Sequence, residues 1–458
     1  MQSCATTTIG GDAADAAEGD DALGISSVEH LFQRLNSAGT ELRGEELAYS
    51  MIKAYWPRIE ESIDAIENLQ KKRHQPMPGS QLAALGARAA LIGMTNLSGR
   101  LPAALSISRI RSMAHDSKQV AEKQCLLKYF GIDDPQADVA SFSNCDLHCN
   151  LRQIDEWLLY RPGSDDFSLP PVLRTSLARS APDVYLLLLY FAQRVRSEGQ
   201  DQQQIEALRR PILALTTALH WFCEKPEKAV NKLYNTVFCQ RELTAETFNG
   251  VLHSIELSCG LRSPALLAEI IPAPNAANLA TWRLWNITLH DHPDEEKSRR
   301  IRDAPFIDRV LKKRSLLIYA QRQFMCRRFE GFDPARVDTW KESNRPWDFD
   351  HILPSATLYD KRGAKHKGVC DQWVNSIGNL RAWPLEENRS KGMDANTIDD
   401  KQLKDSFIGG SAERNAFTVE RNEIDKPDKA LAFVTAVRAR TIRIYEEWFD
   451  QLGIVTLL

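Results

Sequence analysis

Apolar residues recur at three- and four-residue steps through most of the first 330 positions, and this constrains the chain more than any other feature. That period gathers side chains on one face of a helix, whereas a half-buried strand needs strict alternation. Val28, Leu31, Phe32 and Leu35 show it first. Leu47, Met51, Ala54 and Tyr55 repeat it after a turn expected at Asn36 to Thr40. Val184 to Ala192 is an unbroken apolar run, too short to cross a bilayer and expected inside a buried helix. Pro211 stands where a first-turn proline precedes Ile212, Leu215, Leu219 and Phe222. Gln75 to Gly79, Arg161 to Gly163 and Pro272 to Pro274 read as loops between helices, and no fixed-period repeat is visible. Ile307, Val310, Leu311, Leu317, Ile318, Phe324 and Met325 form a further stripe that leaves Arg309, Lys312, Lys313 and Arg322 largely off it.

At 458 residues the chain is long enough for two or three domains, each with its own core. A formal net charge of -3 predicts no overall attraction to nucleic acid, so any such attraction is local. It is concentrated between Lys297 and Arg328, where eleven Lys or Arg face only Asp303 and Asp308. Such a stretch is either a solvated helix face or a surface for phosphates. Residues 1–24 carry five acidic residues and no Lys or Arg, and read as a disordered tail. Nine cysteines without a CxxC pair fit reduced thiols in a cytoplasm. Cys145, His148 and Cys149 lack a second ligand pair at zinc spacing. No secretory signal or membrane span is expected.

Beyond Gly331 to Pro334, which should end the helix, the composition changes. Trp347-Asp348-Phe349-Asp350-His351-Ile352-Leu353-Pro354 places a carboxylate beside an imidazole at the end of a short β-like run. Asn375, Gly378-Asn379-Leu380 and Asn388-Arg389-Ser390-Lys391-Gly392 follow. Hydrolysing a phosphodiester needs a base for water, a cation against the developing charge, and positioning of both. Asp350 and the amide oxygen of Asn388 are hard donors suited to Mg²⁺ or Mn²⁺. His351 is then the base, since histidine's unperturbed pKa lies near neutrality, and a carbonyl on its second ring nitrogen would fix the tautomer. Asn379 would stiffen the loop around it. Adjacent residues on a regular strand point to opposite faces, so Asp350 and His351 share a site only if the strand ends or bulges near Pro354.

The order Asp-His, Asn-Leu and an Asn nine residues later resembles the ββα-metal fold of HNH nucleases. More narrowly, Asp350 to Lys391 resembles the C-terminal nuclease domain of GmrS/GmrD-type modification-dependent restriction enzymes. The resemblance implies Asp350 and Asn388 as metal ligands, His351 as the base and Asn379 as the structural asparagine. It also implies DNA as the substrate, RNA not being excluded, and a role in prokaryotic defence. Phe32 to Thr40 with Glu45-Glu46-Leu47 is similar to the end of the same family's ParB/sulfiredoxin-like domain. The Asp-Gly-Gln-Gln-Arg motif of that domain has no counterpart upstream, and Gly199-Gln200-Asp201-Gln202-Gln203 only imitates it in what reads as a polar loop. A separate subunit supplying the nucleotide-binding function is therefore a possible partner.

The expected architecture is mainly α: a large helical body, a small ββα-metal domain and C-terminal helices including Phe433 to Trp448. In residue terms this is the tail at 1–24, a ParB-like remnant at 25–75, a helical domain at 76–330, and the nuclease domain with closing helices at 331–458. Lys312, Lys313, Arg322, Lys365, Lys367, Arg389 and Lys391 are the expected nucleic-acid contacts. His366 lies among Lys361, Arg362, Lys365 and Lys367, in a basic loop between the two hairpin strands that could touch phosphate. His290-Asp291-His292 could alternate toward a metal, but Pro293 and the acidic residues after it favour a solvent loop. A different class remains open: a protein whose HNH-like domain holds nucleic acid or a partner without cutting.

Overall fold

The computed structural model describes residues 44–70, 77–94, 100–161 except 137, and 167–279 except 258–259, 272 and 278. It also describes 294–334, 345–359, 370, 373–391, and 398–458 except 421–422 and 425. The tail, the turn at Asn36 to Thr40, His290-Asp291-His292 and the loop bearing Lys361, Arg362, Lys365, His366 and Lys367 lie outside the described residues. Among the described residues the regular structure is helical except for one two-stranded sheet and an isolated bridge between Leu159 and Leu169. No described helix is long and apolar enough to cross a membrane.

The body opens with α1 (Glu45–Tyr55), α2 (Arg58–Gln70) and α3 (Gly79–Ala90). Glu45 and Glu46 occupy the first turn of α1, where carboxylates suit the positive end of the helix dipole. Beyond three short α-helices between residues 107 and 143 come α4 (Asp146–Leu158), α5 (Pro171–Ser180), α6 (Pro182–Ser197) and α7 (Gln202–Phe222). Both α5 and α6 begin on proline, whose missing N–H is no loss in a first turn. The run Val184 to Ala192 is buried throughout within α6, as its composition requires.

Pro211 does not open α7. The helix starts nine residues earlier, where the Asp201 carboxylate accepts from the Gln204 N–H and the Gln204 side chain accepts from the Asp201 N–H, both at 2.8 Å. This reciprocal cap satisfies two donors that a helix start would leave bare, and it outweighs one interior proline. The segment Gly199 to Gln203 is therefore a left-handed turn at Gly199 followed by a helix start, not a polar loop. Cys145 caps α4 through its sulfur, which accepts from the His148 N–H. The ring of His148 lies 2.6 Å from the Ser143 carbonyl oxygen. Burial pushes the Cys145 thiol up to about 11, which opposes the thiolate a metal would need.

The stripe from Ile307 to Met325 is not one helix but three: α8 (Asp294–Lys312), α9 (Arg314–Ala320) and α10 (Arg322–Arg328). Gln321 stands between α9 and α10, and its amide donates to the Ala382 and Asp405 carbonyls, at 3.3 and 2.7 Å, and accepts from the Ala382 N–H at 2.8 Å. One side chain thus completes the outer edge of a strand. The structure overturns the expectation for Arg322. It is buried, its guanidinium lies over the Tyr319 ring at 4.6 Å, and it pairs with Glu447 at 3.0 Å, so it is not a nucleic-acid contact.

After α12 (Ser411–Phe417), the closing helix, α13 (Pro427–Gln451), joins the two halves of the chain. Trp448 stacks on Phe222 of α7 with ring centroids 5.1 Å apart, and its indole N–H donates to Thr217 at 2.9 Å. A single hydrophobic cluster runs from Met51 to Leu457, continuous across residue 331. The region around the sheet is thereby held by the body at several points.

Candidate functional site

The sheet consists of β1 (Trp347–His351) and β2 (Leu380–Pro384), antiparallel, with Trp347 opposite Pro384, Asp350 opposite Arg381 and His351 opposite Leu380. Helix α11 (Leu385–Lys391) starts on the residue after β2 and packs against both strands. Its entry is fixed by the Leu385 N–H donating to the Pro346 carbonyl at 2.9 Å.

Asn379 holds the turn between the end of β1 and the start of β2. It is fully buried. Its amide donates to the Leu353 and Val374 carbonyls at 3.0 and 2.9 Å, and its oxygen accepts from the Leu353 N–H at 2.9 Å. Its own carbonyl accepts from the Ile352 N–H at 2.8 Å. The two residues that follow His351 are therefore clamped to the residue that precedes β2. Replacing Asn379 with Ala leaves several buried backbone groups unsatisfied and is expected to cost about 1–3 kcal/mol. A urea midpoint equal to that of wild type would contradict the clamp.

Gly378 allows this turn to approach α13. A Cβ there would run into Thr441 Oγ1 and the Val437 carbonyl, so no larger residue fits without moving the helix. From the other side Arg440, fully buried on α13, donates to the Ile377 and Gly378 carbonyls at 2.7 and 2.8 Å. It also donates to Ser406 at 2.8 Å and Phe407 at 3.2 Å. Desolvation pulls the Arg440 guanidinium down to about 9.

His351 ends β1 at a solvent-accessible position, and its Nε2 lies 2.9 Å from the side-chain oxygen of Asn375. An amide oxygen can only accept, so this contact places the proton on Nε2 and the lone pair on Nδ1. The expected carbonyl is present, supplied by a side chain.

The pairing stays regular through Asp350 and His351, and the strand ends only after the histidine. No bulge separates the two residues, so their side chains leave the sheet on opposite faces. Asp350 points inward, where its Oδ2 accepts from Arg381 Nε at 2.9 Å with the two side chains 6% and 2% exposed. The Arg381 guanidinium also lies 4.1 Å over the Trp383 ring and donates to Ser406 Oγ at 3.2 Å. Desolvation lowers the Arg381 pKa, while Asp350 opposes that shift. Asn388 is half-buried on α11. A carboxylate and an amide oxygen are the donor types that a hard divalent cation takes. These donor types suit Mg²⁺ or Mn²⁺, but Asp350 is held by Arg381 on the face of the sheet opposite His351, and the described residues contain no group of three or more His, Cys, Asp or Glu placed to hold a metal ion.

Among the expected phosphate contacts, Lys312 is 73% exposed and pairs with Asp308 at 2.7 Å, Lys313 is half-buried, and Arg389 is exposed. Lys391 closes α11. Two functional neighbours had no role in the sequence reading. Arg381 becomes visible as the partner of Asp350 only once the register is known. Arg440 lies 61 positions beyond Asn379, and no spacing connects them. No protein-family model, curated protein or solved structure matches the chain.

Proposed function

We propose that the region from Trp347 to Lys391 is an HNH-type ββα-metal site and that the chain is a metal-dependent endonuclease acting on DNA. The observation that carries this reading is the order of parts. An accessible histidine closes β1, a buried asparagine clamps the turn behind it, and a helix bearing Asn388 follows β2 directly. In this reading His351 Nδ1 takes the proton from the attacking water while Asn375 holds the opposite edge of the ring. Asn388 would hold the cation, joined by Asp350 only with its side chain turned from Arg381 toward the face of His351, and the ion when bound would neutralise charge developing on the phosphate. Lys312, Arg389 and Lys391 would meet the flanking backbone. A defence role against foreign or modified DNA rests on the resemblance alone.

A second reading is favoured by one contact. The buried Asp350–Arg381 pair already supplies a cation for the carboxylate, as in a domain that binds nucleic acid without cutting it. Supercoiled plasmid separates the two readings. The nuclease reading predicts nicked and linear products with Mg²⁺ or Mn²⁺ and none with EDTA. Plasmid left intact in both metals, yet retarded in a gel, would establish the binding reading instead.

A further inference from the structure

A cleft of about 820 Å³ lies between the first helices of the body and β1. Its lining includes Arg179 of α5, Arg314 of α9, Arg345 and Phe349 of the β1 segment, and Glu45 and Glu46 of α1. Its volume is that of a pocket for one small organic ligand, within the ~300–1,000 Å³ usual for such sites.

Three features define what it would take. The first is charge: three guanidiniums share one cavity, and arginine's planar fork matches phosphate oxygens in pairs. The second is a flat support. The Arg314 and Arg345 guanidiniums lie 4.6 and 5.8 Å from the centroid of the Phe349 ring. An arginine held flat on an aromatic ring offers its edge to phosphate and a face for a base to stack on. The third is position. Phe349 and His351 are two residues apart on a regular strand, so they share a face of the sheet, about 7 Å apart along it. The cleft therefore opens along the face that presents the histidine, not the one that buries Asp350.

We infer that this cleft binds a single nucleotide unit of a nucleic-acid strand, next to the phosphodiester presented to His351. Its phosphate lies on the arginine side and its base is directed toward α1. Glu45 and Glu46 fit this orientation, because carboxylates accept from the amino groups of bases and repel phosphate. The inference rests on the nuclease reading only for what the strand does there; strand binding itself does not.

The test is fluorescence anisotropy of a labelled oligodeoxycytidylate in EDTA, titrated with wild type, Arg314→Glu and His351→Ala. Lys228→Glu, an exposed charge outside the cleft, serves as the control. Thermal melts establish that each variant is folded. The expected result is binding about tenfold weaker in Arg314→Glu, with a salt dependence shallower by roughly one ion, and little change in the other two. Equal affinities in folded Arg314→Glu and wild type would overturn the inference. So would dCMP competing as tightly as the oligodeoxycytidylate, which would make the cleft a site for free nucleotide. If Arg314→Glu loses binding while wild type cuts no plasmid, the cleft stands and the nuclease reading fails. If wild type cuts plasmid and Arg314→Glu binds and cuts like it, the cleft fails and the nuclease reading stands.

Discussion

In His351→Ala, metal-dependent plasmid cleavage is expected to fall by about 10²–10⁴-fold, the range for losing a positioned general base. Binding of the same DNA in EDTA should be unchanged. The side chain stands at the partly exposed end of β1, so the variant should fold and its loss of rate should be chemical. Asn375→Ala is expected to cost less, because water can replace an amide at an accessible ring nitrogen but cannot replace the ring. Initial rates of nicking under single-turnover conditions measure both. Undiminished cleavage by His351→Ala would remove the histidine from the mechanism while leaving an enzyme in place.

Arg440→Ala should produce the largest change in stability, about 3–5 kcal/mol. It removes a fully buried side chain and leaves the carbonyls of Ile377, Gly378, Ser406 and Phe407 without this donor. Arg440→Lys should recover only part of the loss, since an ammonium cannot span four acceptors that a planar fork reaches. The consequence should reach the site, because the same arginine holds the turn that carries Asn379. Urea unfolding followed by tryptophan fluorescence reads the effect, and a midpoint within error of wild type would show that α13 does not support this turn.

Local periodicity revealed the helical class and the buried character of Val184 to Ala192, since burial of one face leaves a pattern in consecutive residues. It failed at Pro211 and along Ile307 to Met325 for different reasons. At the first, a side-chain cap at Asp201 set the helix start upstream of the proline. At the second, the helix is interrupted at Lys313 and Gln321, and the Gln321 side chain serves a strand 61 positions away in sequence. Arg322 stands four residues after Ile318 and three before Met325, beside the apolar stripe rather than off it, so helical spacing accounts for its burial.

The site was legible to the extent that its parts are short and ordered. The Asp-His pair, the Gly-Asn-Leu step and the following Asn fall on β1, the turn before β2 and α11. What depends on register was not legible. Regular pairing puts Asp350 opposite Arg381 and away from His351, and nothing within the Asp-His dipeptide distinguishes this from a bulged strand. The acceptor for the histidine, Asn375, is 24 residues from it, within a connection whose path no short-range pattern specifies.

The proposed nuclease reading requires a divalent cation to compete with Arg381 for Asp350, so metal binding is its most direct test. Mn²⁺ titrated into the protein, with and without plasmid DNA, can be followed by the decrease of the free-ion signal in electron paramagnetic resonance. We expect one ion bound per chain with DNA present, and affinity at least about tenfold weaker in Asn388→Ala. No binding by wild type, or equal binding by folded Asn388→Ala, would contradict the assignment of Asp350 and Asn388 as the ligands.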